Sequence, residues 1–234
     1  MLISAHQPNY LPYPGYFAKM MASDAFVLIE RVQFEKQSWQ NRNRILTSNG
    51  ALMLTVPTFV KDKSTQKIDE VRIDNKTPWR RKHFQSIVLA YKKAPFFGLY
   101  GEFFEALYGR EWEFLRDIDY EILEFFIKEL GIKTPIFFDK DFELQGSKND
   151  YLIGICKALR ADAYLSNEGS AAYVDVARFN EAGVAHYFCR YRGDGALRGV
   201  GKICGTLKNE RQAARREFGE RIQGVVGRDR KSVV

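Results

Sequence analysis

The sequence predicts an α/β fold: a mainly parallel, Rossmann-like or HUP-like sheet flanked by helices, with a small β-hairpin insertion. Three observations carry this. Apolar runs of strand length alternate along the chain with segments of helical periodicity, as βαβ units require. One such unit is complete within the first thirty residues. Asn49-Gly50, set between two apolar segments, marks a hairpin turn.

Each element follows in turn. Leu2-Ile3-Ser4-Ala5 reads as a first strand, interrupted by Gln7-Pro8, and the prolines and glycine between Asn9 and Gly15 impose a loop. Tyr16 to Ala22 has the composition of a short helix, and Ala25 to Ile29 that of a buried second strand. Arg44-Ile45-Leu46 and Leu52 to Val56 pair across Ser48-Asn49-Gly50. Lys61 to Gln66 is polar and loop-like, whereas Ile68 to Ile73 alternates as a half-exposed strand would. Trp79 to Tyr91 reads as a helix begun by Thr77-Pro78. Ile118, Ile122, Leu123, Phe126 and Ile127 recur at helical spacing until Gly131. Pro135 to Phe138 is a strand, Tyr151 to Leu159 a helix, Ala163 to Ser166 a strand entering the loop Asn167-Glu168-Gly169-Ser170. Val174 to Asn180 is a short helix, and Val184 to Phe188 the last strand.

The net charge of +7 would ordinarily suggest nucleic-acid binding, but its distribution excludes that for the main domain. Residues 1–188 hold 24 basic and 24 acidic side chains, and residues 189–234 hold 12 and 5. The domain is therefore taken as 1–188, and 189–234 as a basic tail rich in Arg and Gly. Its ending, Asp229-Arg230-Lys231-Ser232-Val233-Val234, matches the translation of a commonly used sequencing adapter. The tail is accordingly expected to be adapter-derived at its end and frame-shifted before it. A natural basic tail, helical over Lys208 to Arg221, is the alternative.

Cys156, Cys189 and Cys204 include no CxxC pair, which fits reduced thiols in a cytoplasm. His6, His83 and His186 are dispersed, so no metal-site spacing is present, and the residues do not identify a cofactor. Neither a signal-peptide pattern nor a membrane-length apolar run occurs. A cytoplasmic location without a membrane span is expected.

The strongest candidate site is the loop leaving the first strand. His6, Gln7, Asn9, Tyr10, Tyr13 and Tyr16 concentrate an imidazole, two carboxamides and three phenols there. Pro8, Pro12 and Pro14 pre-organise them. Ligands of open α/β sheets bind beyond such strand ends. His6 suits acid–base work or a hydrogen bond to phosphate, and Gly15 a close approach at a helix N-terminus. A rigid aromatic loop with His6 satisfied internally is the competing reading. Arg42 and Arg44 share a strand face near Trp39 and could clamp a diphosphate; a solvated face is the alternative. Lys82 and His83, with Arg80 and Arg81, extend an anion pocket or an exposed helix face. Glu168 reads as general base or turn residue, and Tyr173 as binding or packing. Cys156 reads as core.

The stretch His6 to Lys19 closely resembles the opening signature of the WbqC-like family. The likeness continues through Val32-Gln33-Phe34, Trp39 to Ile45, Leu54 to Pro57, Trp79, Lys82-His83, Tyr91 to Pro95, Ala163 to Ser166 and Tyr173. It implies a transferase of bacterial surface-polysaccharide (O-antigen, lipopolysaccharide) biosynthesis. Such an enzyme would act on a nucleotide-linked amino sugar, or another small phosphorylated ligand, by N-acyl or aminoacyl transfer. His6 would be acid–base or phosphate donor, Asn9 and Tyr10 would orient substrate, and Arg42 and Arg44 would hold the diphosphate. The opening is also similar to that of HIGH-type nucleotidyltransferases, with His6 matching their first histidine and Tyr16 standing where a second is expected. That enzyme class and a non-catalytic pathway partner are the alternatives.

Overall fold

In the computed structural model, residues 1–59, 65–146 and 148–191 are described in full and Leu197–Val200 as backbone. Most of the loop expected from Lys61 to Gln66 lies outside the described residues, as do Cys204, the span Lys208 to Arg221 and the ending Asp229 to Val234.

The chain forms β1 (Leu2–His6), α1 (Pro14–Met21), β2 (Ala25–Leu28), β3 (Arg42–Thr47), β4 (Gly50–Thr55), α2 (Trp79–Tyr91), α3 (Phe97–Gly109) and α4 (Leu115–Glu129). There follow β5 (Ile136–Phe138), α5 (Asn149–Ala158), β6 (Ala163–Asn167), α6 (Val176–Glu181), β7 (Ala185–Tyr191) and β8 (Leu197–Val200). Six strands make one sheet in the order β5-β2-β1-β6-β7-β8, and β3 pairs with β4 as a separate hairpin. Pairing is parallel from β5 to β7, and β8 is antiparallel to β7. This is the expected α/β class with its hairpin insertion.

The parallel strands taken in chain order read 3-2-1-4-5 across the sheet. Strand order reverses between β1 and β6, the place where doubly wound sheets open a crevice at their carboxyl ends. β1 sits centrally because Leu2, Ile3, Ser4 and Ala5 are all buried, the pattern of a parallel strand covered on both faces. Pro14 opens α1 with its φ preset, and Tyr16, Phe17 and Met20 bury the helix against the sheet.

Two compact units divide the described residues. One comprises Met1–Gln7, Tyr13–Glu30 and the chain from Leu130, which is the sheet unit. The other comprises Pro8–Pro12 and Arg31–Glu129. The core of this second unit gathers Tyr10, Val56, Ile68, Val71, Leu115, Ile118 and Ile122, each with no exposed surface. Burying a side chain of this kind stabilises by about 1.5–3 kcal/mol.

Three local expectations change. Ile68 to Ile73 is no strand: Ile68–Glu70 is a 3-10 turn, followed by isolated bridges from Arg72 to Phe114 and Ile73 to Thr58. Ile68, Val71 and Ile73 all turn into the core, which a strict alternation would forbid. α3 is a helix where no element was expected. β7 runs three residues past Phe188 and pairs with β8, from Phe188 opposite Val200 to Tyr191 opposite Leu197. The boundary expected at 188 therefore falls inside a strand. No helix among the described residues is long and apolar enough to cross a membrane.

Candidate functional site

In the sheet unit the switch point is built from the ends of β1, β6 and β7 and the start of α1. His6 ends β1, and its Nδ1 lies 2.9 Å from the Gln7 carbonyl. A carbonyl only accepts, so Nδ1 carries the proton and Nε2 the lone pair. Burial, and then the positive charge of Lys19, lower the His6 pKa to about 3, so the ring is neutral at ordinary pH. In this tautomer His6 accepts through Nε2, and the phosphate-donor role expected of it is not available to the neutral ring. Tyr16 is fully buried, 4.7 Å from the His6 ring between centroids, and its hydroxyl donates to the Gln7 carbonyl at 3.4 Å. It positions the imidazole and, with no exposed surface, cannot itself touch a ligand as expected.

Gly15 has a reason other than the expected ligand approach. A Cβ there would lie 2.3 Å from the Tyr13 ring and 2.8 Å from the Tyr191 Cβ. The Asn167 side-chain Nδ2 donates to the Tyr13 hydroxyl at 3.4 Å, and its Oδ1 accepts from the Cys189 thiol at 3.7 Å. Asn167 thus joins the loop after β1 to the ends of β6 and β7. Glu168 pairs with Arg190 through two contacts, and this pairing lowers its carboxyl pKa. Glu168, expected as general base or turn residue, is thus engaged in an ion pair directly after β6. Tyr173 is exposed, with its backbone bonded to Ser170 and Asn149. Ser166 reaches the His186 Nε2 at 3.0 Å.

Sequence reasoning missed Lys19. Its ammonium is only 2% exposed and donates to the Ala5 carbonyl at 2.9 Å. Burial lowers its pKa to about 8. A lysine inside the apolar run of a short helix, three residues after Tyr16, was the available signal.

The other expected residues belong to the second unit. Tyr10 is fully buried; its hydroxyl meets the His83 Nδ1 at 2.8 Å and the Tyr108 hydroxyl in a shorter contact. His83 also bonds the Thr55 backbone, and burial brings its pKa to about 4. With one ring nitrogen engaged by Thr55, Nδ1 accepts from Tyr10, and Tyr10 accepts from Tyr108. Tyr10 and His83 are therefore links in an internal chain and not ligand contacts of the exposed kind expected. Asn9 is 5% exposed. Arg44 lies over the half-exposed Trp39 ring at 5.7 Å, Arg42 is half-buried on the same strand, and Lys82 is exposed.

The residue between the two arginines is the structural one. Asn43 Nδ2 donates to the Leu11 carbonyl at 2.6 Å and lies 3.3 Å from that of Tyr10. Leu11 has φ of 48°, a left-handed conformation costly for a branched side chain, and Asn43 secures it. Tyr10 N–H donates to the Trp39 carbonyl at 3.0 Å. Near this chain Asp119 of α4 is 1% exposed, and neither carboxylate oxygen has a hydrogen-bond partner. Burial raises its pKa well above the usual carboxylate range. No group of three or more metal-ligating side chains occurs among the described residues.

A model of the WbqC-like protein family matches residues 7–195. The chain is 32% identical over 188 residues to the uncharacterized protein Rv1507c of Mycobacterium tuberculosis (strain ATCC 25618 / H37Rv), covering 80% of this chain and 81% of that protein. No solved structure matches it. The chain belongs to the WbqC-like protein family.

Proposed function

We propose that the sheet unit is the catalytic part of a transferase that moves an acyl or aminoacyl group onto a nucleotide-linked amino sugar. The observation that carries this reading is the buried Lys19 beside His6 where strand order reverses. Doubly wound sheets bind nucleotides and other phosphorylated ligands at that position. The amide of Asn167 and the phenol of Tyr13 supply polar contacts beside it.

The chemistry asked of His6 is modest. As the amine attacks an activated carbonyl, its nitrogen becomes strongly acidic in the tetrahedral intermediate. Neutral His6 accepts that proton at Nε2 as the C–N bond forms. The intermediate then collapses with cleavage of the bond between the carbonyl carbon and the donor's activating group, which leaves with the proton returned by His6. The positive charge of Lys19 favours the negative charge that develops on the carbonyl oxygen. A thermal-shift screen of nucleotide amino sugars tests this reading. A sugar nucleotide that stabilises the protein, with the shift lost in His6→Ala and Lys19→Met, is the expected result. Failure of every nucleotide and nucleotide sugar to stabilise the folded wild type would count against it.

A further inference from the structure

The second unit holds an open cleft of about 530 Å³ lined by Lys76, Arg80, Arg81, Phe84, Glu105 and Tyr108. That volume suits a ligand of nucleotide size. Three cations and one carboxylate line it, although residues 1–188 carry no net charge. The lining of the cleft is thus net positive while the domain as a whole is balanced.

Two of these cations carry no ion pair among the described residues, although the Lys76 ammonium lies 6.0 Å from the centroid of the Phe59 ring. Arg80 pairs with Glu111 at 3.2 Å, but Lys76 and Arg81 make no ion pair among the described residues. The cleft is also rigid beneath them. Asn75 accepts from the Trp79 indole at 3.1 Å and donates to the Trp112 carbonyl at 2.9 Å, which fixes the entry to α2. No side chain caps that helix, so its first N–H groups add to the positive potential. Phe84 is the partly exposed aromatic of the lining, and the buried Tyr108, held by its hydroxyl contact with Tyr10, backs the cleft with the edge it leaves exposed.

We propose that this cleft binds a small phosphorylated molecule, its phosphates on Lys76, Arg80 and Arg81 and its ring or chain against Phe84 and Tyr108. A polyanion such as nucleic acid is disfavoured, because its other phosphates would meet a surface without basic excess. The site is independent of the switch-point reading, since all its residues lie in the second unit.

Titration calorimetry of the full chain with inorganic pyrophosphate and with ADP, at low and high salt, tests it. Saturable binding weakened by salt is expected. Arg81→Ala and Lys76→Ala, both at exposed positions, should each weaken it about tenfold. Phe84→Ala should weaken ADP while leaving pyrophosphate unchanged. Absence of saturable binding would overturn the proposal. So would affinity unmoved by Arg81→Ala and Lys76→Ala, or tighter binding of a single-stranded oligonucleotide than of ADP.

Discussion

Replacing Asp119 by asparagine should stabilise the protein, and the gain should grow with pH. The carboxyl lies in the core of the second unit with both oxygens unpartnered, so the folded chain holds its proton where the unfolded chain has released it. The folded state then binds more protons than the unfolded state, and stability falls as pH rises above the unfolded value of about 3.9. The contribution is fully present below that value and is lost progressively up to the raised folded value. Within this window each pH unit costs about 1.4 kcal/mol. For a chain of 234 residues that is roughly 3–5 °C in Tm per pH unit. Asparagine has similar volume and no charge to suppress, so it escapes the penalty. Thermal denaturation of wild type and Asp119→Asn at pH 5, 6 and 7 measures the difference directly. Contributions from His6 and His83, whose pKa values lie at about 3 and about 4, are common to both proteins and cancel. A variant destabilised by one constant amount at all three pH values would refute the reasoning, because it would mean an ionised, partnered carboxylate.

Lys19→Met should show the opposite pH pattern in wild type. The folded value of about 8, against 10.5 for the free side chain, corresponds to about 3 kcal/mol. Here the unfolded chain binds the extra proton, so wild-type stability should rise between pH 8 and 10.5. Urea denaturation should find that rise missing in the variant. Asn43→Ala removes a donor to the carbonyls of Tyr10 and Leu11 and should cost about 1–3 kcal/mol, read as an earlier denaturation midpoint; an unchanged midpoint would mean the loop is secured elsewhere. Gly15→Ala, with its methyl 2.3 Å from the Tyr13 ring, should cost about 1–3 kcal/mol by the same measurement. Glu168→Gln breaks an exposed ion pair and should leave Tm unchanged, while a large drop would assign the pair a structural role.

The parts of the fold that were legible in the sequence are those whose signals are local. The Trp79 to Tyr91 helix, the Asn49-Gly50 hairpin and the opening βαβ unit are each specified by periodicity or turn chemistry within a short window. α3 was not read because Gly98 and Gly101 lower the helix propensity of its first turns, although Phe97, Tyr100, Phe104 and Tyr108 recur at helical spacing. The segment from Ile68 misled because packing around a core, and no sheet partner, sets its conformation. In the candidate site, the motif from His6 to Tyr10 drew the eye as one polar cluster. Its residues face different tasks: His6 lies at the switch point, whereas Tyr10 fills a core. Asp119 had a signal that was passed over. It stands three and four residues before Ile122 and Leu123, on the apolar stripe of α4, where a carboxylate must be buried.

The five residues Pro8–Pro12 are borrowed: covalently they follow β1, yet they complete the second unit. A polypeptide cut to residues 31–129 would therefore lack Tyr10. It would have a hole where a phenol stood, and it would leave His83 and Tyr108 without the hydroxyl that links them. Supplying the missing strip as a separate peptide, His6 to Tyr13, offers a route to restoring such a fragment by complementation.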